Sequence, residues 1–344
     1  MKIFGVIVGG FYFTLLTTAG SVVGIRKLLR PETDIELVEE IDQEDAPAEV
    51  PTTTSPPPKP FSDGLADGLR WSATISGAVA FVATNLSFVS SSSISALFFL
   101  LTTLHNFVFG ARLSKSFTKI VHPLVTTTAL TWSIAAAFAL LTGSTFTAML
   151  KGYKTGTLSL FGAGAGDVLL FLLGPAVISL AVSMYDRRQL MRENLKEVVT
   201  AVGVSSVGGL FGTAAAVRFL QVASPYLRLS LLSRNITSPL AMAIASILGA
   251  DVSLAVSMVV VTGLIGANFG ASILSAFGIK DAVARGLGIG AAAHGLGTAA
   301  FVNEEDAFPF AAIAMALTAT TCTCLVSIPI IKRLVIQLAL GGAM

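Results

Sequence analysis

Apolar runs, each about 20 residues long, recur along this chain and limit what it can fold into. An α-helix needs a run of this length to cross about 30 Å of hydrocarbon. Charged residues make up only 12% of the sequence, against about 25% in soluble domains. The sequence therefore predicts an all-α, polytopic membrane protein with about nine or ten hydrophobic segments.

Three regions differ in character. Residues 1–30 hold the first apolar run, which we interpret as a retained transmembrane helix, with a secretory signal peptide as the alternative. Residues 31–68 combine clustered acidic residues with the proline-rich stretch "PTTTSPPPKP", which is typical of a disordered, partly extended linker. Residues 69–338 form the predicted membrane domain. No basic stretch with interleaved aromatic residues points to nucleic acid.

Apolar periodicity predicts the helices of the membrane domain at 71–91, 94–111, 118–142, 160–185, 197–222, 236–250, 253–277, 283–301 and 308–335. Basic loops at 26–30, 112–119 and 186–196 fall on one side of the membrane if these helices alternate in direction. The basic residues at 331–334 join that side only if one late segment is re-entrant. This mismatch indicates that the segment 283–301 is not a regular transmembrane helix.

Four apolar segments are interrupted by polar residues, glycine or proline at apparent membrane depth. Such irregular backbone must line a cavity or pack on protein, because lipid cannot satisfy free backbone groups. In the first, Asp167 follows three alternating glycines, which fits either a helix N-terminus or a proton- or ion-coupling group. In the second, Arg234, Asn235, Thr237 and Ser238 precede a proline-led helix, which fits either a capped loop or an anion site.

The third and fourth interruptions are rich in glycine. The glycines of "TGLIGANFGAS", residues 262–272, have the small-residue spacing of close helix packing, and Asn268 among them could bond across helices or line a substrate path. The fourth, "AHGLGTAA", holds His294, one of three histidines in the chain. Glycine weakens a helix by about 1 kcal/mol relative to alanine, so this stretch predicts a closely packed or partly unwound segment. A weak similarity between 166–184 and 297–317 suggests an inverted-repeat transporter with interrupted helices.

Five blocks carry a resemblance to a known family. They are "GAGDVLLFLLGPAVISLAVSMY" (164–185), "LLSRNITSPLAM" (231–242), "VVVTGLIGANF" (259–269), "ARGLGIGAAAHGLGTAA" (284–300) and "FPFAAIAMALT" (308–318). In this order and spacing the chain resembles the LrgB/CidB family, and most closely its plant-type branch, over about residues 70–337. The plant-type members are fusions of an LrgA-like half and an LrgB-like half. The first apolar run is similar to the last helix of the LrgA-like half.

The resemblance implies transport of small hydroxy-monocarboxylates, glycolate and glycerate, across the chloroplast inner envelope in photorespiration. It also implies an LrgA-like partner and a homo-oligomer in the lipid bilayer, with no cofactor and no metal. We expect a midplane site at helix breaks near 233–239 and 290–298. Its substrate-binding residues would be Arg234, Asn235, Thr237, Ser238, Asn268, His294, Gly295, Gly297 and Thr298. His294 would either carry a proton or stay neutral and form a hydrogen bond.

The alternative function is that of the bacterial branch, which is a holin-like role in murein hydrolase control and cell lysis or the export of pyruvate or acetate. An intramembrane enzyme is not expected. Asp167, His294 and Glu304 could act as acid–base groups, but the sequence has no nucleophile elbow and no metal-ligand spacing.

Overall fold

The computed structural model describes residues 1–29, 60–86, 91–114, 117–118, 121–157, 159 and 162–341. Within these ranges the chain is helical and contains no strand, which confirms the all-α prediction. Residues 31–59 of the predicted linker, and residue 30 before it, lie outside the described residues. Six helical stretches of the described chain are long and apolar enough to cross a membrane: Lys2–Leu29, Ser92–Ala111, Pro123–Leu141, Leu195–Phe219, Val252–Ala276 and Phe308–Ser327. The protein is thus a multi-pass membrane protein.

The described helices follow one another with short connections. In chain order they are α1 (Lys2–Leu29), α2 (Asp63–Asn85), α3 (Ser91–Ala111), α4 (Pro123–Leu141), α5 (Phe146–Tyr153), α6 (Ala165–Phe171), α7 (Leu173–Asp186), α8 (Arg188–Glu193), α9 (Leu195–Val207), α10 (Thr213–Phe219), α11 (Pro225–Ser230), α12 (Ser238–Leu248), α13 (Val252–Ala276), α14 (Ala282–Ala300), α15 (Phe308–Ser327) and α16 (Pro329–Leu340). A π-helical turn, Gly208–Gly212, joins α9 to α10, and a 3₁₀ turn, Leu231–Ser233, follows α11.

Several boundaries differ from the sequence prediction. The run at 160–185 is two helices, α6 and α7, while α4 begins at Pro123 instead of residue 118 and α2 ends at Asn85 instead of residue 91. Two further differences have a clear physical cause. The run at 308–335 is two helices, because Pro329 cannot continue the hydrogen-bond ladder of α15 and instead starts α16. The predicted linker ends earlier than residue 68, because Ser62 caps a helix that begins at Asp63. Its side chain accepts a hydrogen bond from the Leu65 N–H.

The helices form two compact units, one from Met1–Ala48 with Ser179–Met344 and one from Glu49–Ile178. In the second unit α3 packs against α2 and α4. Its core is aromatic: the rings of Phe98, Phe99 and Phe138 lie with centroids 5.0 to 5.8 Å apart.

In the first unit, α14 lies among α1, α13 and α15. Small residues allow this. A side chain at Gly288 would collide with Ala19 of α1, and one at Gly290 would collide with the Ala311 backbone of α15. Close approach of helix backbones is what glycine and alanine permit in membrane bundles. This helix is therefore enclosed by protein, and it is not among the six candidate spans.

Candidate functional site

The central helix α14 is broken at His294. Its backbone angles, φ 43° and ψ −141°, are far from helical and lie where side chains other than glycine are strained. The side chain is 4% exposed, and Nε2 donates a hydrogen bond of 2.8 Å to the Val259 carbonyl of α13. Because a carbonyl only accepts, Nε2 carries the proton of the neutral ring, and Nδ1 is left as an acceptor. The helix is thus interrupted at a single residue, His294, and the residues on either side of it remain helical, so the predicted unwound segment reduces to a kink.

Space for the imidazole comes from a glycine on α13. A side chain at Gly263 would lie 2.5 Å from His294 Cε1 and 2.7 Å from Nε2. About one and two turns along α13, Gly266 and Gly270 receive the side chains of Ala293 and Ile289 in the same way. These contacts confirm the predicted packing role of the three glycines. They also show that Gly263 provides the space for the His294 ring.

The second break precedes α12 and holds a buried guanidinium. Arg234 is 1% exposed, although a fully buried arginine is rare unless it is paired. Its Nη2 donates to the Thr14 hydroxyl at 3.1 Å, whereas Nε and Nη1 have no acceptor. None of the ion pairs among the described residues includes Arg234. This is a positive charge at the centre of the unit whose counter-charge is not supplied by the described chain.

Asn235 ties this turn to the break in α14. Its Nδ2 donates to the Ala291 carbonyl at 3.1 Å, three residues before His294, while its Oδ1 is buried without a donor. The π-helical turn packs on the same amide, because a side chain at Gly209 would meet it at 3.0 Å. The two predicted breaks are thus brought together by a direct hydrogen bond.

The start of α12 presents uncapped backbone. Thr237 is the N-cap residue but its side chain forms no cap hydrogen bond, and Pro239 follows Ser238 in the first turn. The N–H groups at the start of a helix carry partial positive charge and bind anions readily. Thr237 and Ser238 are only half-buried, so this helix end is open enough to be reached.

Four further predicted residues have different surroundings. Thr298 is buried, and its hydroxyl lies 3.4 Å from the Ala311 carbonyl. Gly297 packs against the side chain of Ala293. Gly295 is half-buried, with no tight neighbour. Asn268 is also half-buried, but its amide donates to the Leu264 carbonyl of its own helix at 2.9 Å. Its link to the other residues remains a prediction.

Asp167 lies in the second unit and holds a loop. Its carboxylate accepts from the N–H groups of Thr155, Gly156 and Gly164 and from the Thr155 hydroxyl, at 2.7 to 3.0 Å. Burial raises the pKa of this carboxyl, but the hydrogen bonds from Thr155, Gly164 and Gly156 outweigh it and lower the pKa to about 2. These contacts favour the helix N-terminus interpretation over a coupling role.

We expect Asp167→Asn to lower the thermal midpoint of the purified protein by several degrees, because the amide turns an NH₂ group toward backbone donors. The carboxylate's contribution is complete above the ordinary Asp pKa of about 4 and is lost only as pH falls through about 2. The difference from wild type should therefore be constant between about pH 5 and pH 8. Exposed Asp186→Asn is the control, and an equal effect there would contradict this role.

The second unit also contains a cavity of about 190 Å³. Its lining combines aromatic residues with hydroxyls: Phe99, Thr103, Thr127, Thr128, Thr131, Trp132, Ala135, Met149, Leu150 and Tyr153. The lining carries no cation. This cavity therefore offers no positive charge to an anion, whereas the buried Arg234 of the first unit does.

Sequence reasoning missed three residues of the candidate site, which are Gly10 and Thr14 of α1 and Ser233 next to Arg234. Thr14 accepts from Arg234, and a side chain at Gly10 would lie within 2.7 Å of the guanidinium. Ser233 is buried with an unpartnered hydroxyl beside Arg234. No motif marks Gly10 and Thr14, because they meet Arg234 only through contacts more than 200 positions apart in sequence.

Comparison with known proteins decides the family. Residues 103–332 match the LrgB-like family. The chain belongs to this family. It is 33% identical over 338 residues, 97% of its own length, to a protein of Arabidopsis thaliana named plastidal glycolate/glycerate translocator 1, chloroplastic, and it spans 62% of that relative. That relative is named as a translocator, in agreement with the non-enzymatic class expected from the sequence.

A second relative is bacterial. The uncharacterized protein YwbG of Bacillus subtilis (strain 168) is 29% identical over 133 residues, which are 39% of this chain and 59% of that protein. No solved structure matches the chain.

Proposed function

We propose that this LrgB-like chain is a carrier for small hydroxy-monocarboxylates, with glycolate and glycerate as substrates, in the inner envelope of a plastid. The observation that carries the proposal is the buried guanidinium of Arg234, with two nitrogens that lack an acceptor. An unpaired buried charge is strongly unfavourable. A small anion that enters from water would satisfy it, and the Arabidopsis relative is named for such anions.

The carboxylate would bind Arg234 and the start of α12. A guanidinium offers a planar fork that fits a carboxylate with two parallel hydrogen bonds. The uncapped first turn at Thr237 and Ser238 adds backbone donors beside it, and Asn235 fixes the turn to α14. Two half-helix ends that meet near the membrane midplane are a frequent substrate site in transporters, which supports the same placement.

The α-hydroxyl of the substrate would bond at the break in α14. Thr298 and His294 offer a hydroxyl and a ring acceptor there, Gly295 and Gly297 allow close approach of the backbone, and Asn268 would add an amide from α13. His294 has two possible roles in the cycle. It would either take up a proton together with the anion or remain neutral as a hydrogen-bond partner.

The surroundings of the carrier are part of the proposal. Transport in photorespiration would take place across the plastid envelope, and the relative's name assigns that relative to the chloroplast. An LrgA-like subunit would act with this chain, and we expect a homo-oligomer in the bilayer.

A counterflow assay in proteoliposomes tests the function. Vesicles preloaded with unlabelled glycolate should accumulate labelled glycolate and glycerate in a saturable way, because a carrier exchanges bound substrates. Pyruvate and acetate, which lack the hydroxyl, should compete more weakly, because a site built to bond a hydroxyl loses that bond. If a pH gradient accelerates net uptake, a proton is transported together with the substrate.

Release of a trapped dye is the control for the alternative function. A holin-like pore leaks dye and shows no saturation, whereas a carrier retains it. Dye leakage, or the absence of any glycolate counterflow, would overturn the proposal. Preference for pyruvate over glycolate would leave a carrier but reassign its substrate to the export function.

A further inference from the structure

The N-terminal helix α1 is outside the family-matched residues 103–332, yet one face of it is buried in the first unit. It packs against α9, α13 and α14, and the side chains of Phe11 and Leu15 are fully buried. A peripheral anchor in lipid would expose such residues to the acyl chains. This helix instead reaches the polar centre of a domain whose family is defined without it.

The guanidinium of Arg234 lies against α1 at a glycine. A side chain at Gly10 would stand 2.5 Å from Nη2, 2.6 Å from Cζ and 2.7 Å from Nε of Arg234, so only a hydrogen atom fits between the helix and the charged group. Neighbouring Gly5 and Gly9 have nothing within 4 Å. The need for glycine on this helix is thus specific to the position that faces the arginine.

One turn along α1, Thr14 presents an oxygen that can only accept. Its hydroxyl donates to the Gly10 carbonyl at 2.9 Å, so the proton is already used. The remaining lone pairs point to Arg234 Nη2, 3.1 Å away. With Nη2 held in this way, Nε and Nη1 remain unpartnered. Contact with α1 therefore fixes which nitrogens stay available.

We propose that α1 is the positioning wall of the anion site: Gly10 supplies the space and Thr14 the acceptor that orient Arg234 toward the substrate carboxylate. This inference rests on the proposed function. It means that the site is shared between the LrgB-like domain and a helix from outside the family region. Gly10 and Thr14 act through Arg234 and do not themselves touch the substrate.

Glycine variants of α1 give the first test. The cheapest response to a methyl group at Gly10 is movement of the guanidinium, the far end of a flexible side chain, so Gly10→Ala should fold but lose glycolate counterflow by roughly tenfold or more. Gly9→Ala changes the helix equally in open space and should transport like wild type. Adding Arg234→Lys to Gly10→Ala should restore part of the rate, because an ammonium is narrower than a guanidinium.

Threonine variants separate positioning from packing. Thr14→Val keeps the shape and removes the acceptor, and Thr14→Ser keeps the acceptor. We expect Thr14→Val to raise the KM for glycolate by roughly tenfold, the factor for one hydrogen bond to a charged group, with a smaller change in Vmax. Thr14→Ser should stay within about twofold of wild type, since the bond is kept.

The outcomes test the role of α1 separately from the proposed carrier function. Wild-type KM in both Gly10→Ala and Thr14→Val, with an inactive Arg234→Ala, would show that α1 only packs, and the carrier would stand. Normal transport by Arg234→Ala would overturn the anion site itself. If Gly10→Ala does not fold, the Thr14→Val and Thr14→Ser pair decides alone.

Discussion

Glycolate uptake by the Arg234→Ala protein should fall to the level of empty vesicles. The substrate carboxylate would lose its full-charge partner in a water-poor site, and truncating one member of such a desolvated pair costs about 2 to 5 kcal/mol, or at least thirtyfold in binding. Arg234→Lys should retain a reduced rate, because a point charge replaces the planar fork. Counterflow with labelled glycolate in proteoliposomes measures both.

The stability of the same protein gives an independent readout. Removing an unpaired buried charge leaves no partner stranded except the Thr14 hydroxyl, so Arg234→Ala should unfold at or above the wild-type midpoint. Exposed Arg218→Ala is the matched control and should alter neither uptake nor midpoint. Wild-type uptake by Arg234→Ala would remove this residue from the site.

Replacement of His294 should abolish uptake. Two different substitutions distinguish the role of the imidazole ring in transport from the effect of the strained backbone on stability. Both His294→Ala and His294→Gly lose the imidazole and its bond to the Val259 carbonyl, and we expect both to be inactive. Glycine adopts φ 43° without strain and alanine does not, so the glycine variant should be more stable than the alanine variant by about 1 kcal/mol. Counterflow and detergent melting curves measure the two effects.

Two results would contradict that assignment. Active His294→Gly protein would show that transport needs the backbone break and not the imidazole. Equal midpoints of the glycine and alanine variants would show that the break carries no strain. A Gly263→Ala variant adds a check that leaves His294 in place, because the new methyl group would displace the ring from its seat and should lower uptake.

The class of fold and most helices could be predicted because they depend on local sequence. A sufficiently long apolar run predicts a membrane helix without any knowledge of its tertiary contacts. Accordingly, α13 and α14 begin and end within two residues of the predicted positions. The division at Pro329 was readable from the proline but was missed inside an apolar run. The π-helical turn at Gly208–Gly212 was not predicted, because glycine-rich membrane helices are common and most are regular.

The candidate site was predicted in part for the same reason. Arg234 and His294 stand out locally, as a cation and an imidazole in apolar sequence, and the structure links their two breaks through Asn235 and Ala291. The contribution of α1 depends on contacts across most of the chain. Gly10 lies in a run with several other glycines, and nothing in that run distinguishes the one that faces an arginine.

The central place of α1 has a consequence for biogenesis. Ribosomes deliver α1 to the membrane before the whole second unit, whereas its packing partners α9, α13 and α14 come after that unit. In that interval the buried face of α1, with the hydroxyls of Thr14 and Thr18, must meet lipid or an insertion factor. The early helix α1 therefore reaches its final packing only after the later helices have been inserted. Arg234 gains its contacts with Gly10 and Thr14 only at that step.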